Sequence, residues 1–206
     1  MENQENIWDN LAESWNNFRN KEMPIFNYFK KKYCNKKGKI VDLGCGNCRN
    51  LIPFKDFKCY GVDFSNEMLR YAKKLSNKHN FKVKLIKSDL DKLNFRNNSF
   101  DYVLMIASLH NLETKEKRVN ALNEIYRILK NEGLALIIVW DKWQLKFLFK
   151  KKNLFIPWKK RDKTYYRYYY LFNYFELKNL LKKSNFKILE SKRYKGNIMF
   201  IVKKSR

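Results

Sequence analysis

Two glycines and three aspartates in this chain have the types and spacing to hold a nucleoside-like ligand. Asp42-Leu43-Gly44-Cys45-Gly46-Asn47 follows a short apolar run, Lys39–Leu43. Glycine lets the backbone turn sharply and approach a ligand where a Cβ would clash. A helix expected just behind the turn would favour a ligand carboxylate or phosphate at its N-terminus. Asp63 lies 19 residues after Gly44, at the end of a second apolar run, where a carboxylate suits ribose hydroxyls. Asp89 ends a third run. The third glycine of the dinucleotide fingerprint is missing, which disfavours nicotinamide and flavin cofactors. Cys45-x-x-Cys48 has zinc spacing, but no second such pair completes four ligands, so no metal is expected. His79 sits in a Lys/Asn-rich turn and reads as solvated.

A second chemistry lies in the charge. Among 206 residues, 45 Lys and Arg oppose 20 Asp and Glu, a net +25. Residues 141–206 alone hold 20 basic and 4 acidic residues. Such an excess favours a polyanionic partner and disfavours a cationic one. A Lys- and Asn-rich codon bias is the plain alternative. Tyr165, Tyr166, Tyr168, Tyr169 and Tyr170 interleave with Arg161, Lys163 and Arg167. Aromatics stack on splayed bases while cations meet phosphates, although some of these tyrosines must be core. Lys150-Lys151-Lys152 and Lys159-Lys160-Arg161 flank Leu-Phe-Ile-Pro-Trp and read as a phosphate-binding loop.

The elements that must position these groups alternate. Lys39–Leu43, Phe57–Asp63, Val83–Asp89, Phe100–Ser108 and Gly133–Trp140 are strand candidates. Ser65 and Thr114 can cap helices between them, with Leu69, Ala72 and Leu75 inward on one and Val119, Leu122, Ile125 and Leu129 on the other. Ile7, Leu11, Trp15 and Phe18 form an amphipathic stripe, and Pro24 starts a second N-terminal helix. Asn173-x-x-Glu176 resembles a capping box, stapled by Phe172 and Leu177. Phe186–Tyr194 and Ile198–Lys203 form a hairpin around Gly196-Asn197. This order predicts an α/β, Rossmann-like fold with a mostly parallel sheet ending in an antiparallel hairpin. One domain over residues 1–206 is expected. It would comprise a helical cap at 1–35 and a basic aromatic substrate-binding insertion at 141–172. The polar N-terminus lacks a hydrophobic signal core and no apolar run approaches a membrane span, so a cytoplasmic protein without membrane contact is expected.

Asp42-Leu43-Gly44-Cys45-Gly46-Asn47 resembles the first motif of the class I methyltransferases, which bind S-adenosyl-L-methionine. That resemblance implies cofactor contacts from Asp42, Gly44 and Gly46, from Asp63 at the ribose, and from Asp89 and the Leu90 backbone at the adenine. Further segments carry a finer resemblance. They are WDNLAESW (8–15), FRNKEMPI (18–25), IASLHNL (106–112), KRVNALNEIYRILKNEG (117–133), LIIVWD (136–141), LFIPW (154–158) and RYYYLF (167–172). In the same order they resemble the tRNA wobble-uridine carboxymethyl methyltransferases. The resemblance implies methylation of the carboxylate of 5-carboxymethyluridine to its methyl ester. It also implies a small zinc-containing activator protein as heterodimer partner, with the Phe100–Ser108 strand and nearby apolar surface expected to be incompletely covered in the lone chain. A carboxylate is already ionised at neutral pH, so alignment matters more than a general base. Arg19 and Arg167 can meet it bidentately, and His110 can hydrogen-bond the base or the carboxylate. The chain departs from the family where His-His is usual (His110-Asn111), where His is usual (Tyr170) and where a loop Gly is usual (Cys48). A small-molecule methyltransferase and a non-catalytic RNA-binding protein on this fold stay open as alternatives.

Overall fold

The structure is a computed structural model that describes residues 3–19 and 21–205. Residues 1, 2, 20 and 206 of the expected domain lie outside them. The amphipathic stripe forms α1 (Gln4–Phe18), capped by the Asn3 side chain, and Pro24 starts α2 (Pro24–Tyr33). The sheet strands are β1 (Lys39–Leu43), β2 (Lys58–Asp63), β3 (Val83–Lys87), β4 (Phe100–Ile106) and β5 (Leu129–Trp140). Helix α3 (Asn66–Lys78) lies between β2 and β3, and α4 (Lys115–Ile128) between β4 and β5. Ser65 accepts from the Met68 amide at 3.0 Å and Thr114 from the Lys117 amide at 3.1 Å, as their cap positions require. Leu129 begins β5 rather than continuing α4.

The tail holds β6 (Asn153–Lys160), β7 (Lys163–Tyr170), α5 (Tyr174–Lys183), β8 (Phe186–Tyr194) and β9 (Asn197–Lys204). The main sheet runs β3-β2-β1-β4-β5-β9-β8. All its pairs are parallel except β5–β9 and β8–β9, so the fold is Rossmann-like and closes on an antiparallel hairpin. Parallel strands carry their loops on one edge, which gathers the ends of β1, β2, β4 and β5. Two apolar layers cover the sheet. One gathers α4 and α5 residues such as Leu122, Ile125, Leu177 and Leu181, and the other gathers Phe26, Phe29 and Ala72.

Four expectations need correction. The loop after Gly46 leads into a six-residue 3₁₀ turn, Arg49–Phe54, too short to present a helix N-terminus to an anion. Residues 153–170 are a two-stranded antiparallel hairpin rather than an irregular basic loop. The turn between β8 and β9 is Lys195-Gly196, one residue earlier than expected, with φ of 47° and 74°. Strand β4, expected to be incompletely covered, is buried along its whole length. Exposed apolar side chains lie instead at Phe18, Trp143, Leu145, Phe149 and Phe175.

Candidate active site

The cofactor turn begins where β1 ends. The amides of Gly44 and Cys45 both donate to the Val62 carbonyl, at 2.8 and 2.9 Å, folding the chain back over β2. Gly44 has φ of 72°, and a Cβ there would sit 2.4 Å from the Ser108 Cβ. Ser108 follows β4 and donates to the Leu43 carbonyl at 2.7 Å, locking the two strand ends together. Gly46 has φ of 52°, but its Cβ would meet nothing nearer than Trp15 Nε1 at 3.9 Å and Met68 Sδ at 4.0 Å. An open cradle therefore lies beside Gly46, walled by Trp15 and Met68. Cys48, where the family's loop glycine is usual, keeps a left-handed φ of 62° despite its side chain. Strain of about 1 kcal/mol is the usual cost of such a residue. Burial pushes the Cys45 thiol up. Among the described residues no group of three or more His, Cys, Asp or Glu could hold a metal ion.

Asp42, Asp63 and Leu90 converge on this turn. Asp63 is buried and accepts from the Gly46 amide at 2.8 Å and the Ser65 amide at 3.0 Å. Burial pushes its carboxyl up to about 6, against those hydrogen bonds. Asp63 thus fastens the glycine loop itself. Asp42 is fully buried; one oxygen accepts from Asn50 Nδ2 at 3.0 Å and the other has no partner. Burial pushes its carboxyl up to about 7, the Asn50 hydrogen bond opposing and the nearby Asp63 charge adding to it. Asn50 Oδ1 is also buried and unpartnered. Two orphaned acceptors beneath a glycine cradle suit a ligand that brings N–H or O–H donors and positive charge. Leu90 Cδ1 lies 3.5 Å from the Gly44 Cβ position. Asp89 is exposed on the same edge, with no side-chain bond bringing it to the turn.

Helix α1 closes over this edge. Asp9 accepts from Ser65 Oγ at 2.6 Å and the Glu67 amide at 3.1 Å, and Asn47 Nδ2 donates to Asn16 Oδ1 and the Arg19 carbonyl, both at 2.9 Å. Arg19, exposed at the end of α1, lies with its guanidinium 5.3 Å from the Trp15 ring centre. The charges of Arg167 and Arg49 are near enough to that of Arg19 to repel it. Sequence reasoning missed Arg49, whose Nη1 donates to the Lys21 carbonyl at 3.3 Å.

Arg167 lies on β7, buried at 5% exposure. Its guanidinium is 4.7 Å from the Trp158 ring and 5.8 Å from each of Trp8 and Trp15. Nη1 donates to the Tyr169 hydroxyl at 2.9 Å, while Nε is buried without a partner. His110, fully buried beyond β4, accepts from the Trp140 amide through Nδ1 at 3.0 Å. The proton therefore sits on Nε2, which has no partner. Burial pushes the imidazole down to about 3, so it stays neutral and donates. Trp140 stacks on Tyr169, ring centres 4.4 Å apart, and both rings flank His110. The structure thus brings His110 and Arg167 together through Tyr169, with Arg19 on the α1 side. The expected tyrosine surface divides: Tyr165, Tyr168 and Tyr169 are buried and Tyr166 is exposed.

Residues 41–137 match the family described as "Methyltransferase domain". The fold and the glycine turn are those of the class I S-adenosylmethionine-dependent methyltransferases, and the matched segment supports S-adenosylmethionine as cofactor. The orphaned Asp42 oxygen fits that cofactor's ammonium, and the open cradle at Gly46 admits its bulk. Among relatives, the chain is 25% identical over 225 residues to the Schizosaccharomyces pombe "tRNA (carboxymethyluridine(34)-5-O)-methyltransferase", covering 97% of this chain and 95% of that one. It is 30% identical over 135 residues to the Saccharomyces cerevisiae protein of the same name, covering 65% of this chain and 46% of that one. It spans only about a third of a mouse relative named as a tRNA methyltransferase 9B, 28% identical over 153 residues (74% of this chain, 32% of that one). A solved structure with the same fold is the Haloferax volcanii methyltransferase in complex with the Trm112 methyltransferase activator. Its TM-score is 0.73 at 16% identity, over 99% of this chain and 98% of that one.

Proposed function

We propose that the chain methylates the carboxylate of 5-carboxymethyluridine at the wobble position of a cytoplasmic tRNA, forming the methyl ester. One observation carries the reading: a buried arginine, Arg167, with an unpartnered Nε and no carboxylate ion pair among the described residues. A buried cation held only by aromatic faces and a hydroxyl lacks its anion. The substrate carboxylate supplies it. The guanidinium fork holds both oxygens in one plane, and the neutral His110 Nε2–H donates to the carboxylate or to the base. No proton leaves a carboxylate that is already ionised, so a histidine at about 3 is no handicap. S-adenosylmethionine supplies the sulfonium methyl when bound. Asp42 holds its ammonium, Gly44, Gly46 and Leu90 line it, and Asp63 and Asp89 hold its nucleoside end. Arg19 and Arg49 add positive charge on the α1 side. Trp8, Trp15 and α1 exclude water from the cleft.

The names of the yeast relatives support the tRNA substrate, and the excess positive charge supports RNA binding. The archaeal complex supports a methyltransferase activator as partner, and the family resemblance implies that it is small and zinc-containing. No helix among the described residues is long and apolar enough to cross a membrane. The test is mass spectrometry of nucleosides from tRNA bearing 5-carboxymethyluridine, incubated with the chain, cofactor and activator. Conversion to the methyl ester is expected. Unchanged nucleosides alongside methylation of a small carboxylic acid would replace the substrate.

A further inference from the structure

Just beyond Trp140 lies a buried carboxylate that the methyl transfer does not use. Asp141 is 3% exposed. One of its oxygens accepts from the Trp143 amide at 3.0 Å, and the other from Arg193 Nε at 2.6 Å. Its own amide donates to the Gly196 carbonyl at 3.2 Å, tying the segment to the β8–β9 turn. Gln144 packs on Gly196 so closely that a Cβ there would sit 2.9 Å from its Cδ. Asp141 therefore fixes an aromatic residue and an arginine on two sides of one open cleft of about 580 Å³. Tyr194 and Lys195 complete its lining.

The groups facing water here are unusual for a resting surface. Trp143 is 56% exposed and has the Lys142 ammonium 5.6 Å from its ring centre. The Arg193 side chain is 58% exposed although its Nε is anchored. An exposed indole beside the Lys142 ammonium, on a backbone fixed by a buried acid that also holds Arg193, offers a stacking face near a phosphate site. The ion pair with Arg193 neutralises Asp141, so the cleft does not repel an anion. The cleft also adjoins the reaction centre. Trp140, the residue before Asp141, bonds His110 and stacks on Tyr169. Its other neighbour, Phe147, stacks on it with ring centres 5.5 Å apart.

We propose that this cleft is a stacking subsite for an unpaired nucleotide of the RNA substrate, its base on Trp143 and its phosphate on Arg193 and Lys195. The proposal rests on the tRNA reading above and extends it to a nucleotide other than the one methylated. The binding of an unmodified RNA hairpin with an unpaired loop, followed by fluorescence anisotropy without cofactor, tests it. Trp143→Ala should weaken binding about tenfold, and Trp143→Phe should restore most of it. Arg193→Glu should flatten the dependence of log affinity on log salt by about one. Trp143→Ala binding the hairpin as tightly as the natural chain would overturn the subsite. Because the hairpin carries no 5-carboxymethyluridine, this result stands apart from the methyl-acceptor assignment. A chain that binds hairpins through Trp143 but esterifies no tRNA would refute only that assignment.

Discussion

The two walls of the cleft carry opposite charge and solve the same burial problem differently. Beneath the glycine turn, Asp42 and Asp63 are buried acids whose carboxyls are pushed up to about 7 and about 6. On the β7 side, Arg167 is a buried base held by rings and one hydroxyl, with Arg19 near enough to repel it. The acids have hydrogen bonds from neighbouring backbone or Asn50, which leaves Asp42 Oδ1 and Asn50 Oδ1 as the acceptors open to the cofactor. The basic wall has almost no such hydrogen bonds. The difference teaches which wall waits for an anion. A group that cannot discharge, as arginine cannot, has to be completed by its ligand, whereas a carboxyl can take up a proton.

Removing the shape of the acidic wall gives the largest effect. Gly44→Ala places a Cβ against Ser108 at a φ of 72°. It should cost on the order of 3–5 kcal/mol of stability and abolish cofactor binding. Thermal melting and calorimetry with S-adenosylmethionine check this, and a stable variant that binds normally would remove the cradle from the account. Asp63→Ala comes next. It unlatches the Gly46 amide and removes an acceptor, so cofactor affinity should fall by about 1.5–3 kcal/mol while the domain stays folded.

A pH experiment separates the walls more finely. The Asp42 carboxyl sits at about 7 in the folded chain against about 3.9 unfolded, so the folded state binds its proton more tightly. Its favourable contribution is full below about pH 4 and is lost as pH rises through 7. Asp42→Asn should therefore flatten the cofactor-free stability profile between pH 4 and 7, by on the order of 2–4 kcal/mol across the window. Arg167→Leu should leave that slope in place. The smallest effect belongs to the basic segment just before β6. Lys150 and Lys151 are exposed, whereas Lys152 pairs with Glu176 at 2.9 Å. Lys150→Glu and Lys151→Glu should each flatten the salt slope of tRNA binding by about one, and Lys152→Glu should chiefly lower stability.

The acidic wall was legible in the sequence because its residues are local to strand ends. A strand run, a glycine turn and an acid 19 residues on are adjacent in the single crossover from β1 to β2. What could not be read was that Asp63 bonds the loop, since an acid at a strand end has the same residue type in either role. The basic wall is assembled from α1, the β4 loop and β7, far apart in sequence, so only family likeness pointed to Arg19, His110 and Arg167. Arg49 gave no signal beyond its place behind the turn. The β6–β7 hairpin was hidden because aromatics lie on both of its faces: Tyr165 and Tyr169 are buried, while Phe155 and Tyr166 are exposed. That erases the alternation that marks a half-buried strand. The Lys195-Gly196 turn was misplaced by one residue because Gly-Asn is as good a turn pair as Lys-Gly until both φ values are known.

The central claim is that Arg167 is completed by the substrate carboxylate. It is tested most directly by single-turnover methyl transfer to tRNA bearing 5-carboxymethyluridine, at saturating cofactor, with Arg167→Lys. An ammonium keeps the charge but lacks the planar fork, and a displacement of about 1 Å costs on the order of 100-fold in rate. Such a slowing is expected, with cofactor affinity unchanged. Transfer at the natural rate would contradict it and leave the carboxylate to Arg19, Arg49 or the His110 N–H.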